Sequence, residues 1–382
     1  MAQFPLQQFK DAETPFYYYD LQLLEQTLNE VKAQTYGFPF HVHYAVKANA
    51  NPGILRVIHD AGIGVDCVSG GEISASIDAG FAGSQIAFAG VGKTDKEINL
   101  ALDADIFCFN VESLPELEVI NDLAAKKGKV AKVAIRVNPN IDAHTHKYIT
   151  TGLSENKFGI NLELLDGVVD EAMKLEHINL CGLHFHIGSQ IMTMEPFQML
   201  CGKINKLQNH FEKKGVKFDV INVGGGLGID YDNPDANPIA SFKDYFDTFK
   251  FYLELREGQQ LHFELGRSIV AQCGALITRV TYVKKGSVKQ YAIVDAGMTD
   301  LIRPVLYQAH HNVENITSDS EQIEKYDVVG PICESSDVFA TDEPLKTTSR
   351  GDLLALRSAG AYGEIMASHY NCRPLPGSLF SK

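Results

Sequence analysis

The chain has 382 residues, of which 45% are hydrophobic and 21% charged, and its formal net charge is −14. This is the composition of an ordinary globular protein with enough apolar residues for a core of normal size. The excess of negative charge argues against nucleic acid as a partner, because a polyphosphate surface would repel such a chain.

The cysteines and the N-terminus indicate the compartment. Seven cysteines are scattered without the spacing of a zinc knuckle or of a disulfide framework, which favours a reducing environment. Met1 to Lys10 contain no apolar signal segment, and no apolar run is long enough to cross a membrane. We therefore expect a cytoplasmic protein without a membrane partner.

Short apolar strands alternate with helices along most of the chain. A strand at Phe16–Tyr19 and a helix at Leu21–Gln34 come first. The eight strands predicted after them are His41–Ala48, Gly64–Ser69, Ile86–Gly90, Ile106–Asn110, Val130–Asn138, Leu180–Ile187, Val220–Gly224 and Leu261–Leu265. The helices predicted between them are Pro52–Ala61, Gly71–Ala79, Thr94–Asp103, Leu114–Lys127, Leu162–Lys174, Glu195–Lys214 and Phe242–Glu254.

Eight strands in alternation with helices predict a closed parallel (β/α)8 barrel, with an open doubly wound sheet as the alternative. After about Gly266 the chain becomes rich in Val, Ile, Tyr and Thr, which predicts a mostly β domain. The strands expected there are Ser268–Val283, Gln290–Ala296, Tyr326–Val329 and Asp352–Leu356. We expect the barrel at residues 21–267 and a β-rich domain from residues 1–20 and 268–382, including the strand Phe16–Tyr19.

Active sites of such barrels lie at the carboxyl ends of the strands, so polar residues there are candidates for function. Lys47 ends the first barrel strand. One interpretation is that its side chain only reaches the solvated rim. The other is an imine-forming lysine, since desolvation lowers the pKa of an amine and supplies the neutral nucleophile.

Two pairs of histidines share strand faces. His41 and His43 lie deeper than Lys47 and invite comparison with metal-dependent hydrolases, but the fifth strand offers Arg136 in place of a histidine ligand, so we expect no metal. His184 and His186 end the sixth strand. They share a face, so a metal pair is one interpretation, and a core role for His184 is the other. His186, nearest the rim, could stack on an aromatic cofactor.

Two loops are compatible with a phosphate group. Gly224-Gly225-Gly226-Leu227-Gly228 follows the seventh strand and differs from the dinucleotide pattern GxGxxG. Glu264-Leu265-Gly266-Arg267 follows the eighth. Either loop alone could be a tight turn, but barrel phosphate sites use the loops in these two places. Glu264 is either an ion-pair partner or the carboxylate that faces a cofactor ring nitrogen.

The predicted β domain contributes three further segments. These are Arg303-Pro304-Val305-Leu306-Tyr307, Gly330-Pro331-Ile332-Cys333-Glu334-Ser335-Ser336-Asp337 and Ala359-Gly360-Ala361-Tyr362-Gly363. Each segment alone is explained by an ordinary turn, a buried thiol or a core tyrosine. A segment at His144–Thr151 is interpreted as a surface loop in preference to a lid.

Taken together, the segments resemble the fold-type III pyridoxal-phosphate (PLP) decarboxylases. The matching motifs run from Tyr44-Ala45-Val46-Lys47 to Tyr362, with a weaker match at Asn371-Cys372-Arg373-Pro374. The resemblance implies pyridoxal 5'-phosphate as the cofactor. It also implies an attachment point at Lys47, a stacking ring at His186 and a ring-nitrogen partner at Glu264. The remaining cofactor contacts that it implies are Asp66, Ser189, Gly226, Gly266, Arg267 and Tyr362.

Within that family the chain resembles the diaminopimelate decarboxylase branch, at Met298–Tyr307 and at Cys333-Glu334-Ser335. The resemblance implies decarboxylation of meso-2,6-diaminopimelate to L-lysine and CO2, the last step of lysine biosynthesis. Its substrate residues would be Arg267, Arg303, Tyr307, Glu334 and Tyr362. Cys333 would be the acid that protonates the substrate carbon in the site of a partner subunit, which implies a homodimer with shared sites.

Two other functions stay open on the sequence. One is a sister decarboxylase that acts on carboxynorspermidine or another basic amino acid. The other is a non-catalytic, decarboxylase-like binding protein. Leu265 also stands where the family usually has Pro, which removes some rigidity from the loop while leaving Glu264, Gly266 and Arg267 in register.

Overall fold

The computed structural model describes residues 4–141 and 157–381, so that the segment His144–Thr151 lies outside it. Its strands, in chain order, are β1 Phe16–Tyr19, β2 Phe40–Ala45, β3 Gly64–Cys67, β4 Ile86–Phe88, β5 Cys108–Val111, β6 Ala131–Asn138, β7 Ile160–Asn161, β8 Ile178–His184, β9 Val220–Asn222, β10 Gln260–Leu265, β11 Gly274–Lys285, β12 Gln290–Val294, β13 Val313–Asn315, β14 Ile323–Val329, β15 Val338–Lys346, β16 Leu353–Leu356 and β17 Gly377–Phe380.

The helices are α1 Leu6–Phe9, α2 Leu21–Thr35, α3 Pro52–Asp60, α4 Gly70–Asp78, α5 Asp95–Asp103, α6 Leu114–Lys126, α7 Leu162–Ala172, α8 Glu195–Lys213, α9 Phe242–Tyr252, α10 Arg267–Val270 and α11 Arg303–Tyr307. Short 3-10 turns occur at Val46–Ala48, Gly83–Gln85, Glu364–Met366 and Tyr370–Cys372. No helix in the described part of the chain is long and apolar enough to cross a membrane.

Eight parallel strands close into a barrel in the order β2-β3-β4-β5-β6-β8-β9-β10. The closing pair is β10 with β2, in which Leu261 lies opposite Phe40 and Leu265 opposite Tyr44. The predicted barrel is therefore confirmed, and the open doubly wound sheet is wrong, since an open sheet would leave β2 and β10 apart. The two-residue strand β7 pairs beside β6 outside the ring.

Side-chain caps explain where several barrel helices begin. Ser69 accepts from the amide of Glu72 before α4, and Thr94 forms a capping box with Glu97 before α5. Ser113 caps α6 in the same way, by accepting from the amide of Glu116. These caps satisfy amide groups that have no partner inside the helix, so that local sequence alone defines the helix start.

The chain divides into two compact units. The barrel unit comprises Leu28–Gly228 and Ser241–Gly266. The β-rich unit comprises Met1–Thr27, Ile229–Ala240 and Arg267–Lys382, so that the short segment Ile229–Ala240 belongs to it although the segment falls inside the barrel range expected from the sequence.

The β-rich unit contains an eight-stranded sheet with the path β13-β16-β11-β12-β14-β15. Strand β1 pairs antiparallel with β11 and parallel with β17. The strand Phe16–Tyr19 thus belongs to the β-rich sheet, as expected from the sequence. The strand expected at Ser268–Val283 is wrong in its first part. Residues Arg267–Val270 form α10, in which Ala271 donates to the carbonyl of Arg267 at 2.9 Å, and β11 begins only at Gly274.

Candidate active site

Lys47 lies just beyond the carboxyl end of β2, in the 3-10 turn Val46–Ala48, and is half-buried. The strand predicted at His41–Ala48 is therefore wrong in its last part, because β2 ends at Ala45, two residues before the lysine. The turn is held because the Asn49 amide donates to the Val46 carbonyl at 3.0 Å and the Tyr44 hydroxyl donates to the Asn49 carbonyl at 2.8 Å. A lysine in a turn above the barrel strands directs its amine differently from one on the strand itself.

Glu264, the penultimate residue of β10, is a buried carboxylate with three side-chain hydrogen-bond partners. Its Oε1 accepts from the side-chain amides of Asn110 at 2.9 Å and Asn222 at 2.7 Å. Its Oε2 lies 3.1 Å from Nε2 of His184. A carboxylate offers about four acceptor positions, so three bonds leave one position on Oε2.

The charge of Glu264 is stabilised despite its burial. Burial raises the pKa of this carboxyl group, but the neighbouring His184, Lys47 and His186 outweigh it, and the pKa lies below its ordinary value. The group is therefore an anion at neutral pH, with one acceptor position left. That is the arrangement needed to hold a proton on a ring nitrogen.

Asp66, the penultimate residue of β3, lies beside this cluster and is 1% exposed. Neither oxygen of its carboxyl group has a hydrogen-bond partner among the described residues. Burial and the charge of Glu264 raise its pKa well above the ordinary value, although Lys47 acts in the opposite direction. Buried carboxyl oxygens without partners are rare in folded proteins and indicate a group that is supplied from outside the chain.

His186 follows β8 and faces the glycine loop. Its Nδ1 accepts from the amide of Gly225 at 3.2 Å, which leaves the proton on Nε2. Burial and the positive charges of Lys47 and Arg136 lower its pKa well below the ordinary value, so the ring is neutral. A neutral ring oriented through its Nδ1 is suited to stacking on an aromatic cofactor.

The glycine loop after β9 packs so closely against neighbouring backbone that Gly225 and Gly226 have no room for a side chain. A Cβ on Gly225 would lie 2.0 Å from the Glu264 carbonyl oxygen. Gly226, with φ of 114°, packs against the loop that contains Ser189, where a Cβ would lie 2.8 Å from the Gly188 carbonyl. The Ile191 amide donates to the Gly226 carbonyl at 2.9 Å and joins the two loops. Backbone this close is suited to a phosphate cradle.

Gly266 completes the set of barrel residues predicted for the cofactor. A Cβ there would lie 3.1 Å from that of Ala48 and 3.2 Å from that of Ala45, so the end of β10 is packed onto the turn that contains Lys47. The barrel unit thus brings together seven of the predicted residues: Lys47, Asp66, His186, Ser189, Gly226, Glu264 and Gly266. The open acceptor on Glu264, the unpartnered Asp66 carboxyl and the glycine cradle all fit a phosphorylated pyridine ring.

Other polar residues of this cluster were not singled out as site residues from the sequence. Asn110 and Asn222 hold Glu264, and Glu112 holds Arg136 through a buried ion pair at 2.6 Å. The sequence could have indicated these residues in part, since each is a polar residue at or near the carboxyl end of a predicted barrel strand.

The histidines at the other end of the barrel do not join this cluster. His43 Nε2 lies 2.8 Å from His262 Nδ1, and the ring of His41 stacks on His262 at 4.8 Å. Phe107 stacks on the same ring at 4.9 Å, and these residues line a cavity of about 370 Å³. Within the described ranges no three His, Cys, Asp or Glu residues form a metal site.

The β-rich unit contains a buried guanidinium cluster. Arg267 is 7% exposed and donates from Nη1 to the Tyr231 hydroxyl at 2.7 Å. Its guanidinium lies 5.0 Å from the ring centre of Tyr362, a residue held in the left-handed region with φ of 56°. Arg303, 5% exposed, lies 4.9 Å from the ring centre of Tyr231. Aromatic faces stabilise cations without neutralising them.

Arg303 begins the five-residue helix α11, which ends at Tyr307. Tyr307 contributes to the electrostatic environment of Arg267 and so belongs to the same cluster. Four predicted substrate residues, Arg267, Arg303, Tyr307 and Tyr362, are therefore together in the β-rich unit. Tyr231, which the sequence did not single out, lies between the two guanidinium groups.

Cys333 and Glu334 lie on an exposed turn of the β-rich unit, apart from the protein's buried cysteines. The Cys333 amide donates to Oδ1 of Asn371 at 3.1 Å, and the Tyr370 hydroxyl donates to the Glu334 carboxylate at 2.5 Å. The motif Asn371-Cys372-Arg373-Pro374, which had no assigned role, thus supports this turn. Arg373 also donates to the Asp295 carbonyl at 2.7 Å.

Comparison with known proteins identifies the class to which this barrel belongs. Residues 21–271 match the family described as pyridoxal-dependent decarboxylase, pyridoxal binding domain. The chain belongs to this family, and its cofactor is pyridoxal 5'-phosphate.

The most informative relatives are similar over nearly their whole length. The chain is 59% identical over 374 residues to the diaminopimelate decarboxylase of Bacteroides thetaiotaomicron, with 98% of this chain and 97% of that relative covered. The crystal structure of diaminopimelate decarboxylase from Helicobacter pylori, complexed with L-lysine, is 41% identical with a TM-score of 0.93, covering 99% and 94% of the two chains. The corresponding complex from M. jannaschii is 34% identical with a TM-score of 0.91, covering 98% and 89%. The resemblance stated from the motifs is confirmed.

Proposed function

We propose that this chain decarboxylates meso-2,6-diaminopimelate to L-lysine and CO2, the last step of lysine biosynthesis. The observation that carries the proposal is the pair of buried guanidinium groups of Arg267 and Arg303 beside Tyr231. Guanidinium forks bind carboxylates in two-point contacts, so the pair suits a substrate that keeps one carboxylate after losing another. The full-length likeness to diaminopimelate decarboxylases supports the same substrate.

The barrel residues are proposed to hold the cofactor. Lys47 provides the attachment point, Ser189, Gly226 and the Gly266–Arg267 backbone hold the phosphate, and His186 covers one face of the ring. Bound pyridoxal phosphate supplies an electron-accepting ring for the electron pair that a departing carboxylate leaves behind. Glu264 keeps the ring nitrogen protonated, because its stabilised negative charge has one acceptor position left on Oε2.

The substrate and proton roles are assigned to the β-rich unit. Arg267, Arg303, Tyr307 and Tyr362 bind the carboxylate that remains on L-lysine, and Glu334 meets the distal ammonium group. Cys333 donates a proton to the substrate carbon from which CO2 has left. The exposed position of Cys333 supports its use in the site of a second subunit, in a cytoplasmic homodimer.

A substrate panel tests the proposed function. We expect the purified holoenzyme to release CO2 from meso-diaminopimelate and to act at least tenfold more slowly, by kcat/KM, on carboxynorspermidine, ornithine and arginine, which lack the matching carboxylate. R303M should raise KM for meso-diaminopimelate by about 100-fold while kcat changes little. Comparable turnover of carboxynorspermidine would favour the sister decarboxylase, and no turnover of any substrate would favour the binding protein.

Mixing two impaired variants tests the shared site. C333A should lower kcat by about 100-fold because the proton donor is lost. When K47A and C333A are co-expressed with different tags, half of the dimers are mixed and one of their two sites is intact, so about a quarter of wild-type activity should return. The control pair, K47A with E264Q, places both defects on barrels and should show no recovery. Absence of recovery with C333A would contradict the shared site.

A further inference from the structure

His311 lies behind the guanidinium cluster and is completely buried. Its Nδ1 is 2.8 Å from the carbonyl oxygen of Arg357, and its Nε2 is 2.8 Å from Nη1 of Arg303. A carbonyl oxygen only accepts and a guanidinium group only donates. The two partners therefore determine the tautomer: Nδ1 holds the proton, and Nε2 presents its lone pair to Arg303.

The ring of His311 is also held in orientation. The Tyr231 ring packs edge-on against it, with 5.3 Å between centroids and 81° between the ring planes. The Arg303 guanidinium lies over the same Tyr231 ring, so one aromatic side chain contacts both the cation and its acceptor. Burial, and next the charge of Arg303, lower the pKa of His311 to about 3, so the acceptor stays neutral at physiological pH.

A neutral acceptor orients the Arg303 guanidinium without neutralising its positive charge, which a carboxylate could not do. An Asp or Glu at this place would orient the guanidinium but also neutralise it and compete with an incoming carboxylate. Among the described residues, no Asp or Glu forms an ion pair with Arg303, so its positive charge is not cancelled by the protein. One of its five N–H donors is directed to His311, and the Tyr231 side chain is a second hydrogen-bond partner, so these two neutral partners use fewer than the five donors of the guanidinium group.

We propose that His311 is a positioning residue that aims the Arg303 guanidinium at the carboxylate retained in L-lysine while leaving its charge intact. This inference rests on the proposed function, in which Arg303 binds that carboxylate. It assigns to His311 a contribution to substrate affinity and carboxylate selectivity, without any direct contact with the substrate.

Two substitutions separate positioning from a purely structural role. In H311Q, the side-chain oxygen takes the place of Nε2 and can accept from Arg303, whereas the bond to the Arg357 carbonyl is lost. In H311N, the side-chain amide takes the place of Nδ1 and can donate to the Arg357 carbonyl, whereas Arg303 loses its acceptor. Each variant keeps one of the two hydrogen bonds of the wild-type ring.

Ligand binding to the holoenzyme gives the decisive measurement. We expect the Kd of L-lysine, measured by calorimetry, to rise about tenfold or more in H311N and to stay within about threefold of wild type in H311Q, because a hydrogen bond to a charged group is lost only in the former. The Kd of pentane-1,5-diamine, which is L-lysine without its carboxylate, should change equally little in both. KM for meso-diaminopimelate should follow the L-lysine pattern, with kcat within about twofold.

The other outcomes overturn the inference. Equal loss of L-lysine affinity in both variants, a larger loss in H311Q, or no loss in H311N would each assign His311 a structural role only. A nitrogen NMR spectrum of the wild-type protein provides a test that needs no variant: an imidazolium or an Nε2-protonated ring at position 311 at neutral pH would contradict the positioning role. If the wild-type enzyme fails to decarboxylate meso-diaminopimelate in the substrate panel, the proposed function fails separately from this result.

Discussion

Replacing Lys47 with alanine is expected to abolish the visible absorption that pyridoxal phosphate gives when attached to the protein and to lower turnover by roughly four orders of magnitude. The reason is that Lys47 is the half-buried amine in the turn after β2, beside the carboxyl groups of Asp66 and Glu264. The measurement is an absorption spectrum of the purified protein with the cofactor, followed by a CO2-release assay.

A second lysine provides the control for this experiment. Lys174 has an exposed side chain that pairs with Glu171 three residues away, and K174A should keep both the spectrum and the turnover of the wild type. An unchanged spectrum in K47A would refute the role assigned to Lys47. A loss in both variants would indicate a general defect of the protein preparation.

Replacing Glu264 with glutamine should lower kcat by roughly 100- to 1,000-fold while the shape of the side chain is preserved. The amide cannot satisfy the same neighbours, because Oε1 accepts from Asn110 and Asn222 and Oε2 lies against His184. If the NH2 group takes the place of Oε1, it faces the amide donors of Asn110 and Asn222. If it takes the place of Oε2, the remaining acceptor position is lost. The negative charge that favours a proton on the ring nitrogen is also lost.

Asn110 offers the matched control for the glutamate. N110A removes one donor to Oε1 but leaves the carboxylate, its charge and the acceptor position on Oε2. We expect a loss in kcat of no more than about tenfold in this variant. If E264Q retained activity within about threefold of wild type, the carboxylate would have no electrostatic part in the reaction, and the proposed role of Glu264 would be abandoned.

The barrel was predictable because its signals are local. Helix starts at Ser69, Thr94 and Ser113 are marked by side chains that cap amides three residues away. Strand positions follow from short apolar runs, and the carboxyl ends of parallel strands meet on one face whatever the details of packing. Lys47, Glu264 and the glycine loop could therefore be assigned to one site before any distance was known.

Other features were not predictable because they depend on pairs that are distant in the chain. Asn110 bonds to Glu264 across 154 positions, and Cys333 bonds to Asn371 across 38. A polar residue has many acceptable partners, so the sequence does not indicate which one it meets. The start of β11 was misplaced for a related reason: residues with strand propensity at 267–270 form a helical turn, because the preference of a short segment is weak compared with its tertiary contacts.

The amino-acid sequence by itself determined the alternation of strands and helices, the glycine loop, and the types of residue at the strand ends, since these depend on neighbours within a few positions. Only the tertiary structure decided that Glu264 keeps one acceptor position, that Asp66 is left without a hydrogen-bond partner among the described residues, and that a neutral His311 holds Arg303. These properties arise from burial and from angles between groups far apart in the chain, which set pKa values and hydrogen-bond capacity but leave no periodic pattern in the sequence.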